Sequence, residues 1–321
     1  MSRKVVICGA GFIGSRIATT ISHANESTSA LRRIQISSRS PDKIVDSLRG
    51  HIVQDHLLPA VPVDITKPET LASAFEGAHY VVSMVGILTG SPEAFERIQW
   101  KGAENVARAT AAAGAKLVHI SAIGADKLSQ VPYERTKALG EEVAFKHCPD
   151  ATVIRPSLVF GPGDGFFNRF AQLSKYLPFL PVFGNGSSKF QPVFVDDLAR
   201  LVEILTRENS DQKLDVTGKI IEAGGPQVFS FKEIMQLVLK YTHRTRPIIP
   251  VPWSIGELQG LVLERLPSNV FTLTRDQVEQ LKRDNIVSSP LPPTHVSFED
   301  FLQQHGCTLR SVHEILPTYL R

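Results

Sequence analysis

The chain has 321 residues, of which 42% are hydrophobic and 21% are charged, so it is long enough to bury a substantial core in one large or two medium domains. Its net charge of +3 is scattered along the sequence without a block of Lys and Arg. Nucleic-acid binding is therefore excluded as an expected function, because it needs a concentrated basic surface.

The three cysteines, Cys8, Cys148 and Cys307, lie far apart and lack metal-ligand spacing. This usage predicts a reducing compartment, no disulfide framework and no metal site. No apolar run approaches the length that spans a bilayer, and the first predicted strand begins too early for a signal or cleavable presequence to precede it. An organelle address is therefore expected elsewhere or already removed.

The first predicted elements are a buried strand at 5–8, a glycine turn and an amphipathic helix. Gly9 allows the tight turn, Gly11 lets a pyrophosphate approach the backbone, and Gly14 lets the helix pack closely on the strand. A tight turn without a ligand is the alternative, but the flanking strand and the apolar helix spacing favour a dinucleotide site. The predicted phosphate contacts come from Gly9, Gly11, Phe12, Ile13 and Gly14.

Short apolar strands then alternate with helical stretches, which predicts an α/β fold: a Rossmann-type, doubly wound parallel sheet. The helices are predicted at 92–113 and 133–146. The strands that follow the first are expected at 34–37, 60–64, 80–83, 116–120 and 152–155.

Proline and glycine punctuate the chain after Arg155, which indicates a smaller α/β C-terminal domain of the substrate-binding type. Residues 1–160 with about 190–208 are assigned to the NADP-binding Rossmann domain, because 192–203 reads as a strand and helix that return to the sheet. Residues 161–189 and 209–321 are assigned to the smaller domain.

The end of the second strand indicates which dinucleotide is bound. NAD-preferring folds place an acidic residue there, whereas this chain has Ser38 and Arg39. A guanidinium beside small hydroxyls suits a 2′-phosphate, so NADP(H) is predicted, with Arg16 flanking the same phosphate; a solvated loop is the alternative for Arg39. The rest of the predicted groove comprises Asp64 at the adenine edge, Ile65, Val85, Gly86, Ser121, Tyr133, Lys137, Pro156 and Leu158; Val85 has strand-end packing as its alternative role.

Several motifs together resemble the short-chain dehydrogenase/reductase superfamily in its extended or atypical form. They are the glycine turn, Asp64, Val85-Gly86, Ser121, the run 133–137 with Tyr133 and Lys137, the run 155–161, and the run 194–199. The superfamily's usual glycine spacing would require glycine at Cys8, which puts the path of the phosphate loop in doubt.

Within the superfamily, the runs 159–171, 190–197, 273–285 and 315–320 are most similar to the family of the accessory Rossmann subunit of respiratory complex I, alpha subcomplex subunit nine. This resemblance implies a mitochondrial protein on the matrix side of the inner membrane that holds NADPH and serves complex I structure or assembly. A fungal branch of the family is associated with ubiquinone biosynthesis. The implied partners are complex I subunits or ubiquinone-synthesis proteins, with peripheral contact to the inner membrane.

The candidate catalytic residues are Tyr133 and Lys137, which stand four residues apart on a predicted helix and so face the same way. A nearby ammonium is expected to lower the pKa of the tyrosine, which would then protonate a carbonyl. The partner hydroxyl is expected at Ala122 by resemblance, so Ser121 substitutes or the oxyanion donor is missing. Gln99 stands where the family often has asparagine.

Two functions therefore compete. Ala122 and Gln99 favour a cofactor-binding structural or assembly subunit, whereas Tyr133 and Lys137 permit an NADP-dependent reductase acting on a quinone-like or isoprenoid substrate. A helix at 253–266 has one apolar face, which is expected to lie in the core rather than on a membrane because its polar side has few basic residues.

Overall fold

The computed structural model describes residues 2–26, 31–207, 214–255 and 275–321. The chain divides into two compact units. The first contains Met1–Pro156, Val195–Ala223 and Ser289–Thr308, and the second contains Ser157–Phe194, Gly224–Ser288 and Leu309–Arg321. Residues 214–223 and 289–308, which the sequence-based division placed in the smaller domain, thus belong to the first unit. Residues 157–160 and about 190–194, which that division placed in the Rossmann domain, belong to the second unit.

The strands of the described residues are short and mostly apolar. They are β1 Arg3–Cys8, β2 Arg32–Ser38, β3 Val61–Pro62, β4 Ala78–Ser83, β5 Lys116–Ile120, β6 Thr152–Pro156, β7 Val159–Phe160, β8 Leu180–Phe183, β9 Lys189–Phe190, β10 Val193–Phe194, β11 Ile220–Ala223, β12 Phe229–Ser230, β13 Ile248–Val251 and β14 His295–Ser297.

The helices of the same residues include a π-helical segment, Glu96–Gly102, between the fourth and fifth. They are α1 Phe12–Asn25, α2 Pro41–Leu48, α3 Leu71–Phe75, α4 Pro92–Phe95, α5 Ala103–Ala112, α6 Pro132–His147, α7 Phe167–Tyr176, α8 Val195–Leu205, α9 Phe231–Tyr241, α10 Arg275–Gln280, α11 Phe298–Gln304 and α12 Val312–Tyr319.

The first unit is built on an eight-stranded parallel sheet with the order β3-β2-β1-β4-β5-β6-β11-β14. Val5 of β1 lies opposite Ile34 of β2 on one side and Tyr80 of β4 on the other. The central strands are buried because helices cover both faces, which explains their nearly continuous apolar sequences. This sheet confirms the predicted Rossmann-type fold.

Helix α8 packs beside α1 in the first unit, where Arg16 of α1 pairs with Asp196 of α8. Arg32 of β2 donates from Nη1 to Glu203 Oε1 of α8 at 2.7 Å, and both side chains are fully buried. The strand that precedes α8 does not join the large sheet, contrary to the prediction, because β10 pairs with β7 in the second unit.

The second unit contains three two-stranded sheets, of which β7–β10 and β8–β13 are parallel and β9–β12 is antiparallel. Its core is a cluster of phenylalanine rings from strands, helices and the loop before α7. Asp164 accepts hydrogen bonds from the backbone N–H groups of Phe166 and Phe167 and from the hydroxyl of Tyr319. The clustered rings are those of Phe160, Phe166, Phe167, Phe170, Phe190, Phe194 and Phe231.

Most of the helix predicted at 253–266 lies outside the described residues, which include only its first three positions. Trp253 stacks on Phe183, with ring centroids 6.2 Å apart. Among the helices of the described part, none has the length and apolar character needed to cross a membrane. Cys8 and Cys148 are buried thiols, and no cluster of metal-ligating side chains occurs in the described ranges.

Candidate functional site

The glycine turn joins β1 to α1 at the carboxyl edge of the large sheet. Gly9 has φ +90°, which favours glycine, and its N–H donates to the carbonyl of Ser37 at 2.8 Å. At Gly14, an added Cβ would lie 3.1 Å from Ala10 Cβ and 3.2 Å from Ile7 Cγ2. The close approach of α1 to β1 therefore depends on glycine at position 14.

Gly11 differs from Gly9 and Gly14, because a Cβ added at Gly11 would meet nothing within 4 Å. It is also the N-cap of α1, and no side chain caps this end of the helix. The helix whose first N–H groups belong to Phe12 and Ile13 thus begins at a residue with open space beside it, and a helix N-terminus of this kind can bind phosphate.

The end of β2 has the polar groups that the sequence predicted to bind a 2′-phosphate. The hydroxyl of Ser38 is buried without a hydrogen-bond partner, and Arg39 is exposed with no described residue bonded to its guanidinium. Arg16 requires a correction, because its Nε and Nη2 donate to both carboxylate oxygens of Asp196 at 2.6 and 2.5 Å. The guanidinium of Arg16 is therefore bonded to a carboxylate of the protein, whereas the prediction placed it beside Arg39 at the phosphate.

Asp64 and Ile65 form the loop after β3. Asp64 Oδ1 accepts from the backbone N–H and the hydroxyl of Thr66, at 3.0 and 2.7 Å. These bonds, with smaller contributions from the charges of Lys67 and Arg39, lower the pKa of Asp64 and keep it ionised. Ile65 packs on Gly102, where an added Cβ would approach its Cδ1 to 2.8 Å.

Lys137 of α6 reaches the ends of two neighbouring strands. Its Nζ donates to the carbonyls of Val85 and Ile120 at 3.0 and 3.1 Å. Gly86 leaves room for the Lys137 ammonium, because a Cβ added at position 86 would lie 3.0 Å from Nζ. Burial lowers the pKa of Lys137 to about 8, although the charge of Glu141 opposes this change. Val85 is itself part of the hydrophobic core.

Tyr133 lies one turn before Lys137, and its ring packs edge-on against Phe95 with centroids 6.1 Å apart. The expected lowering of its pKa is wrong for the protein without ligand. Burial, followed by the charge of Glu134, raises the pKa of Tyr133 to about 12. The phenol is therefore held protonated.

Ser121 follows β5 as predicted, but its hydroxyl faces α6. Its Oγ donates to Glu141 Oε1 at 2.5 Å, and Arg155 holds both oxygens of the same carboxylate. Because the single hydroxyl proton of Ser121 is donated to Glu141, it is not available to an oxyanion, which argues against the predicted role of Ser121 as an oxyanion donor. The next residue, Ala122, has no donor in its side chain.

The last two predicted groove residues fall on either side of the boundary between the units. Pro156 ends β6 in the first unit, and its carbonyl accepts from the N–H of Ile123 at 3.0 Å. Leu158 belongs to the second unit, where its carbonyl accepts from the N–H of Val193 at 3.0 Å.

Two buried polar side chains near Lys137 have unsatisfied atoms. Gln99, in the π-helical segment, is 1% exposed, and both polar atoms of its amide lack partners. His119 of β5 is 2% exposed; its Nδ1 lies 3.3 Å from Ser83 Oγ, and its Nε2 lacks a partner. Burial and the charge of Lys137 lower the pKa of His119 to about 3, so it is neutral. His119 is not among the site residues predicted from the sequence, because a histidine within a buried strand has no distinctive pattern.

These features fit a dinucleotide. The open space at Gly11, the partnerless hydroxyl of Ser38, the exposed Arg39 and the glycine in front of Lys137 follow one another along the carboxyl ends of β1, β2 and β4. Ligands bind at this edge in doubly wound sheets.

A family comparison agrees with this geometry. The model of the NAD dependent epimerase/dehydratase family matches residues 5–221, which is more than half of the chain. The chain belongs to this family. Because the match begins in β1 and ends in β11, it reaches every strand of the eight-stranded sheet except β14.

Curated relatives carry the name NADH dehydrogenase [ubiquinone] 1 alpha subcomplex subunit 9, mitochondrial. The protein from Arabidopsis thaliana is 28% identical over 54% of this chain and 44% of its own length. The protein from Rattus norvegicus is 27% identical over 71% of this chain and 60% of its own length. The chain thus matches about half the length of these relatives.

A solved structure with the same fold is the Citrobacter triphenylmethane reductase complexed with NADP(H). It has a TM-score of 0.69 and 17% sequence identity, and the alignment covers 97% of this chain and 98% of that one. At this identity the likeness shows the fold alone.

Proposed function

We propose that this protein is an NADP(H)-binding accessory subunit or assembly component of mitochondrial complex I, or acts in ubiquinone-linked metabolism. The observation that favours a structural role over a catalytic one is the hydrogen bond from Ser121 to Glu141, beside Ala122. The site retains groups suited to a dinucleotide, whereas the hydroxyl expected to assist hydride transfer is engaged elsewhere. Loss of one oxyanion donor lowers turnover by about 10²- to 10³-fold.

NADP(H) is proposed over NAD(H) because of the end of β2. Ser38 and Arg39 offer a hydroxyl and a guanidinium, and no carboxylate stands there to bind a ribose 2′-hydroxyl. The N–H groups that begin α1 would bind the pyrophosphate, and Lys137 would bind the ribose near the nicotinamide. When bound, the nicotinamide supplies a hydride donor or acceptor.

The proposed location and partners rest on the curated relatives, whose names place them in mitochondria and in NADH dehydrogenase. We further propose that the protein lies on the matrix side of the inner membrane in peripheral contact with it, as the family resemblance in the sequence implies. Its partners are complex I subunits or proteins of ubiquinone synthesis.

The test of this function is purification of the tagged full-length protein from mitochondria of its own organism. We expect NADPH to be retained, as measured by its fluorescence, and complex I subunits or ubiquinone-synthesis proteins to co-purify. A correctly folded protein that binds neither NADPH nor NADP⁺ and has none of these partners would refute the proposal.

A working reductase acting on a quinone-like or isoprenoid substrate is the second candidate, favoured by the retained Tyr133 and Lys137. In this mechanism Tyr133 gives its phenolic proton to the substrate carbonyl, and Lys137 holds a positive charge beside it. Saturable oxidation of NADPH by a short-chain ubiquinone, lost in Tyr133→Phe, would favour this candidate over the structural one.

A further inference from the structure

Glu141 lies at the centre of a buried set of charged and polar groups on four elements of the first unit. Its carboxylate accepts from Ser121, which follows β5, and from Nε and Nη2 of Arg155 of β6, the latter two at 2.8 and 2.6 Å. Arg155 Nη1 lies 3.6 Å from Glu222 of β11, and His295 Nε2 of β14 lies 3.5 Å from the same glutamate.

The same helix presents Lys137 one turn before Glu141. Lys137 bonds the carbonyl of Ile120, and Ser121, the next residue, bonds Glu141. Helix α6 is therefore fixed to the end of β5 by two contacts at neighbouring residues. Because Tyr133 lies one further turn back, these contacts also set its position.

The set contains two cationic and two acidic side chains. Lys137 and Arg155 are positive, Glu141 and Glu222 are negative, and burial lowers the pKa of His295, which keeps it neutral. His119 also faces Lys137 as a neutral ring, and Tyr133 remains protonated. The charge of Glu141 is the one that raises the pKa of Lys137 against the effect of burial.

We propose that Glu141 is a positioning residue, whose carboxylate fixes α6 to β5 and β6 through Ser121 and Arg155 and thereby holds Lys137 as an ammonium at the carbonyls of Val85 and Ile120. Ser121 acts as part of this anchor and not as a donor to a substrate. The consequence for the cofactor rests on the proposed function, whereas the anchor itself does not.

The first test is an NMR titration of the Lys137 side chain in the full-length protein without ligand. We expect Glu141→Gln to move the midpoint to lower pH by about one unit, because an attractive charge is removed. The matched control is Glu142→Gln, whose carboxylate is exposed and paired with Lys127, and it should leave the midpoint unchanged. Equal midpoints in the wild type and Glu141→Gln would overturn the proposal.

The second test does not depend on the folding of the Gln variant. Ser121→Ala should lower the unfolding temperature, and Ser121→Thr, which keeps the hydroxyl donor to Glu141, should restore it. An unchanged unfolding temperature in Ser121→Ala overturns the anchor.

The pH profile of NADPH affinity separates this inference from the proposed function. As pH rises, NADPH affinity should fall when Lys137 loses its proton. We expect this fall to occur at a lower pH in Glu141→Gln than in the wild type. Wild-type protein that binds no NADPH contradicts the proposed function while the titration still decides the anchor. Wild-type protein that binds NADPH with a profile identical to that of Glu141→Gln contradicts the anchor.

Discussion

At the scale of single residues, the glycines of the turn have separable roles. Gly14→Ala places a methyl group 3.1 Å from Ala10 Cβ and should destabilise the protein by roughly 1–3 kcal/mol through overpacking. Gly11→Ala meets no atom within 4 Å, so it should cause no overpacking, and its loss of stability should be limited to the poorer N-cap, about 1 kcal/mol, while NADPH binding weakens. Chemical unfolding and fluorescence titration measure the two effects. A Gly11→Ala variant that binds NADPH as the wild type does would exclude close phosphate approach there.

Arg39 is the residue on which NADP(H) selectivity depends. Arg39→Ala should weaken NADPH binding by about 10- to 100-fold, because a hydrogen bond to a charged group contributes about 1.5–3 kcal/mol. NADH affinity should change little. Arg33→Ala is the matched control, since Arg33 is exposed on the same strand but near its other end. Equal losses for NADPH and NADH would assign Arg39 a role other than phosphate recognition.

At the scale of elements, β5 has a buried titratable group that links folding to pH. The pKa of His119 falls to about 3 on folding from an ordinary value near 6.5. The unfolded chain therefore binds a proton that the folded chain does not between these values, and stability falls as pH drops through this range. The loss approaches roughly 1.4 kcal/mol for each pH unit.

The measurement that checks this is denaturant unfolding between pH 7 and pH 4. His119→Gln should reduce the dependence of stability on pH, because the variant has no imidazole to protonate at this position. His23→Gln, at an exposed position of α1, should retain the wild-type dependence. The same slope in His119→Gln and in the wild type would mean that His119 already titrates normally in the folded protein.

An element could be predicted from the sequence when it was long enough to show an apolar pattern within its own residues. The glycine turn and the strands from β1 to β6 were predictable because apolar runs and spacing are local. The three-residue strand β14 has too little sequence for any alternation, so its place in the large sheet emerges only from pairing with β11. Likewise, Glu141 falls on the same helix face as Lys137, but its bond to Ser121 arises from how α6 packs on β5.

At the scale of the whole molecule, a cofactor that binds one of two units should stabilise them unequally. The residues proposed to bind NADP(H) lie in the first unit except for Leu158. Because the ligand binds only the folded state, NADPH at 100 times its dissociation constant adds about 2.7 kcal/mol to the stability of that unit. Calorimetry of the full chain should show an unfolding transition that rises by several degrees with NADPH and less with equal NADH.

Proteolysis can assign that transition to a unit. Fragments from 1–156 should become more resistant with NADPH, since the glycine turn, Arg39 and Lys137 all lie there, whereas sites in 224–255 should gain less protection. Uniform protection throughout the chain would indicate that both units unfold as one. A complete absence of protection, with NADPH at a concentration that saturates wild-type binding, would contradict stabilisation by the cofactor and with it the structural role proposed for the site.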